Sequence, residues 1–291
     1  MAANSMRDIK RRIKSVNSTE HITSAMKLVS AAKLRKAKAI FEESRTYFHH
    51  VTDAIEEVFH SAEEIPTQYL AGHRAVKRTA HIVITSNRGL CGGFNTNVIK
   101  EATRVIQKET QDGGKEKPFI IAIGTKGKDH FEKRGFEIKG EFIHPPENIA
   151  FVDTMQISKP IIEMYNNGEI DEVLISWNTF VNSMSQEPKT ETLLPFERRT
   201  VSDGPREPVE YEPSVTEVFN YLVPKYVEIM IYGAIVESAT CEHAARRVAM
   251  ESATDNARDM IQSLTLNYNR ARQAAITNEI SEIVGGSEAL K

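Results

Sequence analysis

The sequence predicts an α/β protein: a long N-terminal and a long C-terminal helix pair as an antiparallel, left-handed coiled coil and flank a domain built on a mostly parallel five-stranded sheet. Three observations predict it. Of the 15 Gly and 11 Pro, 23 lie between Pro66 and Pro224, so residues 1–65 and 234–284 contain no breaker at all. Both breaker-free ends carry apolar residues at steps of three and four. The middle alternates short β-branched runs with amphipathic stretches in the order βαβαβαββ. These changes set domain limits of 1–65, 66–204 and 205–291.

In the first segment the stripe runs through Met6, Ile9, Ile13, Val16, Thr19, Ile22, Met26 and Val29, then Phe41, Ser44, Phe48, Val51, Ile55 and Val58. So narrow a stripe reads as a coiled-coil seam. Some 60 helical residues would span about 90 Å at 1.5 Å each. The middle domain follows with expected strands at 81–85, 119–123, 136–143, 172–177 and 190–196, and expected helices at 95–107, 126–134 and 152–166. The tract 202–213, with Pro205, Pro208 and Pro213, reads as a linker. The last seam runs through Ala253, Ala257, Met260, Leu264, Tyr268, Ala271 and Ala275, then Ile276, Ile280 and Ile283, and Gly285 with Gly286 is expected to stop it. This helix starts either at Pro224, in the tolerated first turn, or near Ser214, with the proline inside it. Neither rod is stable with its stripe wet, so each buries its seam on the other. A repeat near 3.5 residues implies a left-handed supercoil.

Composition excludes several classes. With 40% hydrophobic and 26% charged residues the chain is not mostly disordered. No apolar run approaches membrane-spanning length, and the basic start MAANSMRDIKRRIK precedes no apolar signal region, so a chain kept in the cytoplasm is expected. Cys91 and Cys241 stand 150 positions apart, with no disulfide framework, and are expected to be reduced and structural. Residues 1–45 hold eleven Lys or Arg against four Asp or Glu, a net +7, so the remainder carries −10.

The loop Ser86-Asn87-Arg88-Gly89-Leu90-Cys91-Gly92-Gly93-Phe94-Asn95 lies between a strand and a helix, where backbone amides can cradle phosphate. Its glycines follow GxxGG and not GxGxxG, and Ile123-Gly124 stands where a ribose-binding acid belongs, so a tight structural turn is the better reading. Gly114-Lys115 and Gly127-Lys128 lack the rest of a P-loop. Cys241-Glu242-His243 has no further ligands at zinc spacing, and no catalytic constellation stands out. No cofactor, metal or catalytic residue is therefore expected. The basic run Lys10, Arg11, Arg12, Lys14, Lys33, Arg35, Lys36 and Lys38 is either a solvated coiled-coil face or a contact for an acidic partner. No aromatics interleave it, which weakens a nucleic-acid reading. A nucleotide-binding enzyme with a helical arm and a nucleic-acid arm protein remain the two rival classes.

Met6-Arg-Asp-Ile-Lys-Arg-Arg-Ile13 and His21-Ile-Thr-Ser-Ala-Met-Lys-Leu-Val-Ser-Ala-Ala-Lys33 strongly resemble the first helix of the gamma subunits of F-type ATP synthases. Ala253-Thr-Asp-Asn256, the run Ser263 to Ile280 and the loop Thr85 to Asn95 are similar to the same family, so the likeness covers essentially the whole chain. The resemblance implies a rotor shaft inside a ring of three alpha and three beta subunits, with a Rossmann-like middle domain beside the coil and ATP chemistry left to beta. It implies that Met26 and Lys27 face an acidic lever of beta, that Arg272, Gln273 and Thr277 meet the loop gripping the shaft from alpha and beta, and that Tyr211 and Glu212 belong to a foot contacting epsilon and the ring of c subunits. Met26 also falls on the seam pattern, where packing is its first role. The last helix is expected to project past the first into an apolar sleeve. The cysteine-bearing insertion of chloroplast members is lacking. Bacterial members are the nearer likeness, implying peripheral attachment to the cytoplasmic side of the cell membrane through the complex.

Overall fold

The structure is a computed structural model and describes residues 2–61, 66–72, 75–112, 115–143, 149–196 and 211–289. The elements follow in the order α1 (Ala2–Ser61), β1 (Thr79–Ile84), α2 (Phe94–Asp112), β2 (Phe119–Ile123), α3 (Thr125–Glu132), β3 (Ile138–Phe142), α4 (Phe151–Asn166), β4 (Glu172–Phe180), β5 (Gln186–Leu194) and α5 (Val215–Ala289), with a short 3-10 turn at Thr67–Tyr69. Two compact units divide the chain: residues 1–31 with 246–291, and residues 32–245. Most of the expected linker, 202–210, lies outside the described residues.

In the larger unit the five strands stand in the order β3-β2-β1-β4-β5, parallel except for the β4–β5 hairpin. This is the mostly parallel sheet expected from the alternating pattern. β1 and β2 are buried along their whole length, as strands covered on both faces must be. One face packs Ile82, Ile84, Ile121 and Ile175 against Ile157 and Ile161 of α4 and against Phe219, Val223, Val227 and Ile231 of α5. On the other face Val83, Ile120 and Ala122 meet Val98, Ala102 and Ile106 of α2 and Phe131 of α3. Glu237 ties α5 to β4, accepting from Trp177 Nε1 at 2.8 Å and from the Phe180 amide at 2.9 Å. Part of α1 also belongs here: Phe41 and Phe48 make edge contacts with Phe180 and Tyr232.

The start of α5 settles the open choice. It begins at Val215, where the Ser214 hydroxyl accepts from the Glu217 amide at 3.3 Å as an N-cap, and Pro224 lies inside it. Its far end differs from expectation: the helix runs through Gly285 and Gly286 to Ala289. Glycine in a helix costs about 1 kcal/mol relative to alanine, which weakens a helix without compelling it to end.

In the smaller unit three cross-helix contacts give direction. Glu20 meets Arg258 at 3.0 Å, Thr23 meets Thr254 at 2.8 Å and Lys27 meets Glu251 at 3.9 Å. Ascending numbers on α1 face descending numbers on α5, so the helices are antiparallel. A regular three-four alternation of less exposed α1 positions runs through Met6, Ile9, Ile13, Val16, Glu20, Thr23, Lys27 and Ser30, with Ser24, Met26 and Ala31 partly covered beside it. On α5 the matching series is Met250, Thr254, Ala257, Ile261, Leu264, Tyr268, Ala271 and Ala275, with Arg246–Ala249, Glu251 and Ala253 also partly covered. A seven-residue repeat of this kind imposes a left-handed supercoil.

The expected register is therefore corrected over one stretch. Ile22 and Val29 are 60% and 56% exposed, Thr19 is exposed, and Met260 is 53% exposed, while polar Glu20, Thr23, Lys27 and Ser30 occupy the seam. The reason is geometric. Val16 and Leu34 are both inward positions, and 18 residues between them admit the sequence four-three-four-three-four but not a detour through 22 and 29. Ile276, Ile280 and Ile283 are likewise exposed, beyond the last seam position.

His81 is fully buried beneath α2, with Nε2 2.7 Å from Ser176 Oγ, which in turn lies 2.6 Å from Thr190 Oγ1. Its Nδ1 finds no partner among the described residues. Burial drives its pKa down from 6.5 to about 3, against a small opposing influence of Glu101. The folded state holds this ring neutral while the unfolded chain takes up a proton near pH 6.5, so the stability tied to neutral His81 is complete above pH 6.5 and is lost as pH falls toward 3. Urea unfolding at pH 7, 6, 5 and 4 should lose up to ~1.4 kcal/mol per pH unit to this residue. His81→Gln should flatten that dependence; an unchanged slope would contradict the assignment.

Candidate functional site

The loop after β1 is held by its own polar side chains. Asn95 Oδ1 accepts from the Ser86 amide at 2.9 Å, Asn95 Nδ2 donates to Ser86 Oγ at 2.7 Å, and Asn87 bridges to the Thr125 amide at 3.0 Å and the Ile143 carbonyl at 2.8 Å. Gly124 sits at φ +95° with its α-carbon against Thr85, where an added Cβ would lie 2.2 Å from the Thr85 carbonyl oxygen. Only glycine fits there. The Thr85 hydroxyl also accepts from the Gly127 amide at 2.8 Å. These glycines and hydroxyls close the β1–α2 and β2–α3 turns onto each other, which accounts for the motif as structure. Cys91 and Cys241 are free thiols buried in one small cluster with Phe94. Burial, then the nearby Glu237 charge, pushes the Cys241 thiol pKa well up, and its Sγ lies 3.3 Å from the Asn178 carbonyl as a donor. A thiol so placed is a packing group and a poor nucleophile.

The residues expected to contact partners fall on two separate elements. Met26 and Lys27 are adjacent on α1 and both are half-buried. Lys27 occupies the seam, with Nζ near Glu251, whose other oxygen takes Arg247 Nη1 at 3.4 Å. Met26 is half-buried like its neighbour Lys27, as a residue beside or within the seam is. On α5, Arg272, Gln273 and Thr277 are all exposed, and the Thr277 hydroxyl donates to the Gln273 carbonyl one turn back at 2.9 Å. Tyr211 and Glu212 precede α5: the Tyr211 ring is half-buried with its hydroxyl donating to the Val58 carbonyl at 3.3 Å, while Glu212 is exposed.

Sequence reasoning expected exposed apolar residues at the end of the last helix but missed Ile22, Leu28, Val29, Met260 and Leu266. Ile22, Leu28 and Val29 of α1 are 56–65% exposed, and Met260, Leu266, Ile276, Ile280, Ile283 and Val284 of α5 are 48–67% exposed. Over residues 20–30 α1 keeps polar Glu20, Thr23, Lys27 and Ser30 inward while Ile22, Leu28 and Val29 face outward. Singly exposed apolar residues are ordinary, but nine within one small helical unit make a surface suited to burial by a partner. The signal was available: strict spacing from Ile9 to Leu34 excludes Ile22 and Val29 from the seam.

Within that seam the Thr254 hydroxyl donates to Thr23 Oγ1 at 2.8 Å and lies 2.7 Å from the Met250 carbonyl, both threonines being buried. Thr23→Val leaves the Thr254 hydroxyl with the Met250 carbonyl alone and should cost ~1 kcal/mol or less, of which Thr23→Val with Thr254→Val should restore a part. Thermal unfolding of the four members of the double-mutant cycle checks it; strict additivity would mean the two hydroxyls do not interact.

The sequence profile of the ATP synthase family matches residues 5–290. The ATP synthase gamma chain of Alkaliphilus metalliredigens is 51% identical over 292 residues, covering 98% of this chain and 99% of that one. The sodium-ion-specific ATP synthase gamma chain of Acetobacterium woodii is 41% identical, with 99% of each chain covered. Among solved structures, a chain of the Euglena gracilis mitochondrial ATP synthase assembly of OSCP, F1 and c-ring aligns at TM-score 0.73 and 21% identity over 99% of this chain and 95% of its own. A chain of the central stalk and c-ring of the Tetrahymena thermophila enzyme aligns at TM-score 0.59 and 24% identity over 80% of this chain and 99% of its own. No described helix is long and apolar enough to cross a membrane. The near-complete match in sequence, the breaker-free ends and the antiparallel pairing agree, and the chain belongs to the ATP synthase gamma chain family.

Proposed function

We propose that this chain is the central rotor shaft of a bacterial F-type ATP synthase, turning within an alpha3beta3 ring to couple ion flow in the membrane sector to ATP synthesis or hydrolysis on the beta subunits. The observation that carries the reading is the pair of antiparallel helices in the smaller unit, which share a seam yet keep large apolar residues such as Ile22, Leu28, Val29, Ile280 and Ile283 exposed, on a chain whose close relatives are gamma chains. Such a shaft needs no catalytic group of its own. It acts because an asymmetric axle meets each of three equivalent subunits differently, and only a differential interaction shifts the balance of open and closed states.

The proposed contacts divide by chemistry. Met26 and Lys27 meet the acidic lever of beta, with the basic face of α1 around them; exposed ion pairs worth roughly 0–1 kcal/mol each can form and break in turn without arresting rotation. Because Lys27 lies near Glu251, Met26 is the first contact of the two. Arg272, Gln273 and Thr277, exposed on one stretch of α5, meet the loop that grips the shaft from alpha and beta, and the apolar residues beyond Ala275 turn in a sleeve. Tyr211 and Glu212 form part of the foot toward epsilon and the c-ring. Membrane association is peripheral, on the cytoplasmic side, and through the complex alone. Support for these assignments is the resemblance of each motif to the family and the accessibility of each residue.

Co-expressed with alpha and beta subunits, the chain should co-purify with them, and ATPase activity should appear in that assembly and not in the chain alone. A complex that forms and couples normally without it would overturn the reading. Met26→Lys should leave assembly intact and lower ATP-driven ion pumping relative to ATPase rate several-fold, because a new cation beside the lever strengthens one rotary position over the others. Equal losses of assembly and coupling would assign Met26 to packing.

A further inference from the structure

Between α2 and α3, on the face of the sheet away from α4 and α5, lies a groove of about 610 Å³ walled by Lys100 and Arg104 on α2 and by Lys126, His130 and Arg134 along and just beyond α3. On each helix these residues are four apart, so they share one face. Five cationic or ionisable donors around one groove run against the chain's net charge of −3.

Their pairing separates them from neighbouring cations. Arg104 is held by Glu101 through two bonds of 2.9 and 2.7 Å, and Lys128, on another face of α3, by Glu141 at 2.6 Å. Lys100, Lys126 and Arg134 have no carboxylate partner among the described residues. Arg134 Nη1 stands 3.1 Å from His130 Nδ1; a guanidinium only donates, so Nδ1 accepts and the neutral ring keeps its proton on Nε2. Both helices begin at the carboxyl edge of the parallel strands, so the positive ends of their dipoles lie at one end of the groove. Ile99, 8% exposed, provides an apolar stretch of wall.

We infer that this groove binds a soluble, phosphate-bearing small molecule of nucleotide size, held by Lys100, Lys126 and Arg134. Its size matches this class of ligand: about 610 Å³ lies within the roughly 300–1,000 Å³ of small-molecule sites. The groove reaches Asn95 at the end of the β1–α2 loop, whose side-chain amide is already engaged with Ser86, and the site does not depend on the shaft reading.

Isothermal titration of the full chain with ATP and with tripolyphosphate, at about 0.15 M salt to suppress nonspecific attraction, tests it. One-to-one binding of either probe is expected, weakened about tenfold or more by Lys126→Gln with Arg134→Gln. Lys108→Gln, on α2 but outside the groove, should leave affinity unchanged. All these side chains are exposed, and circular dichroism of each variant verifies the fold. Absence of binding by both probes at about 5 mM, equal weakening by Lys108→Gln, or displacement of bound probe by an equal charge concentration of polyglutamate would overturn the inference, the last pointing to an acidic polypeptide. Because the readout is binding to this chain alone, its failure leaves the rotor function untouched.

Discussion

A helix of 60 residues and one of 75 cannot remain helical in water with one wet apolar stripe each, and their mutual burial is the constraint on which the molecule rests. In the smaller unit the helices bury their stripes on each other. In the larger unit α5 turns the same kind of stripe against the sheet, where Phe219, Val223, Val227 and Ile231 complete the core begun by Ile82 and Ile175. α5 thus belongs to both units, and Glu237, bonded to Trp177 and to the Phe180 amide, fixes its rotation about its own axis relative to β4.

The polar seam is costly as packing and informative as design. Threonine, lysine and serine at inward positions contribute less burial than leucine would, and each must be satisfied, as Thr23 is by Thr254 and Glu20 by Arg258. Polar inward positions in paired helices specify alignment, since sliding either helix by one turn would separate these partners. The same stretch exposes Ile22, Leu28 and Val29. A shaft that must keep one alignment while presenting an apolar face to surrounding subunits has a physical use for this inversion.

Much of the fold was legible. β1 and β4 hold short aliphatic, β-branched stretches, β2 is such a run bounded by Pro118 and Gly124, and α2 and α4 carry a clear helical period, so their order and the sheet's direction could be read along the chain. The seam between Val16 and Leu34 was misread because local apolar content favours Ile22 and Val29, whereas register is set by residues on both sides of that stretch. The partner positions, Arg272, Gln273 and Thr277 among them, were named through the family resemblance, which did not carry the proximity of Lys27 to Glu251. The groove was invisible: Lys100 and Arg134 are separated by a strand and most of two helices, and no motif links them.

By itself the sequence determined where the chain must be helical, where it must turn and which runs must be buried, because breakers, periodicity and β-branching act over a few residues. It also carried the family likeness, since long motifs survive at both ends. Only the tertiary structure decided which residues meet. Pairing Thr23 with Thr254, bringing Cys91 and Cys241 into one cluster and gathering cations between α2 and α3 all depend on how distant segments align. That alignment is chosen by packing summed over entire elements, a quantity no local stretch contains.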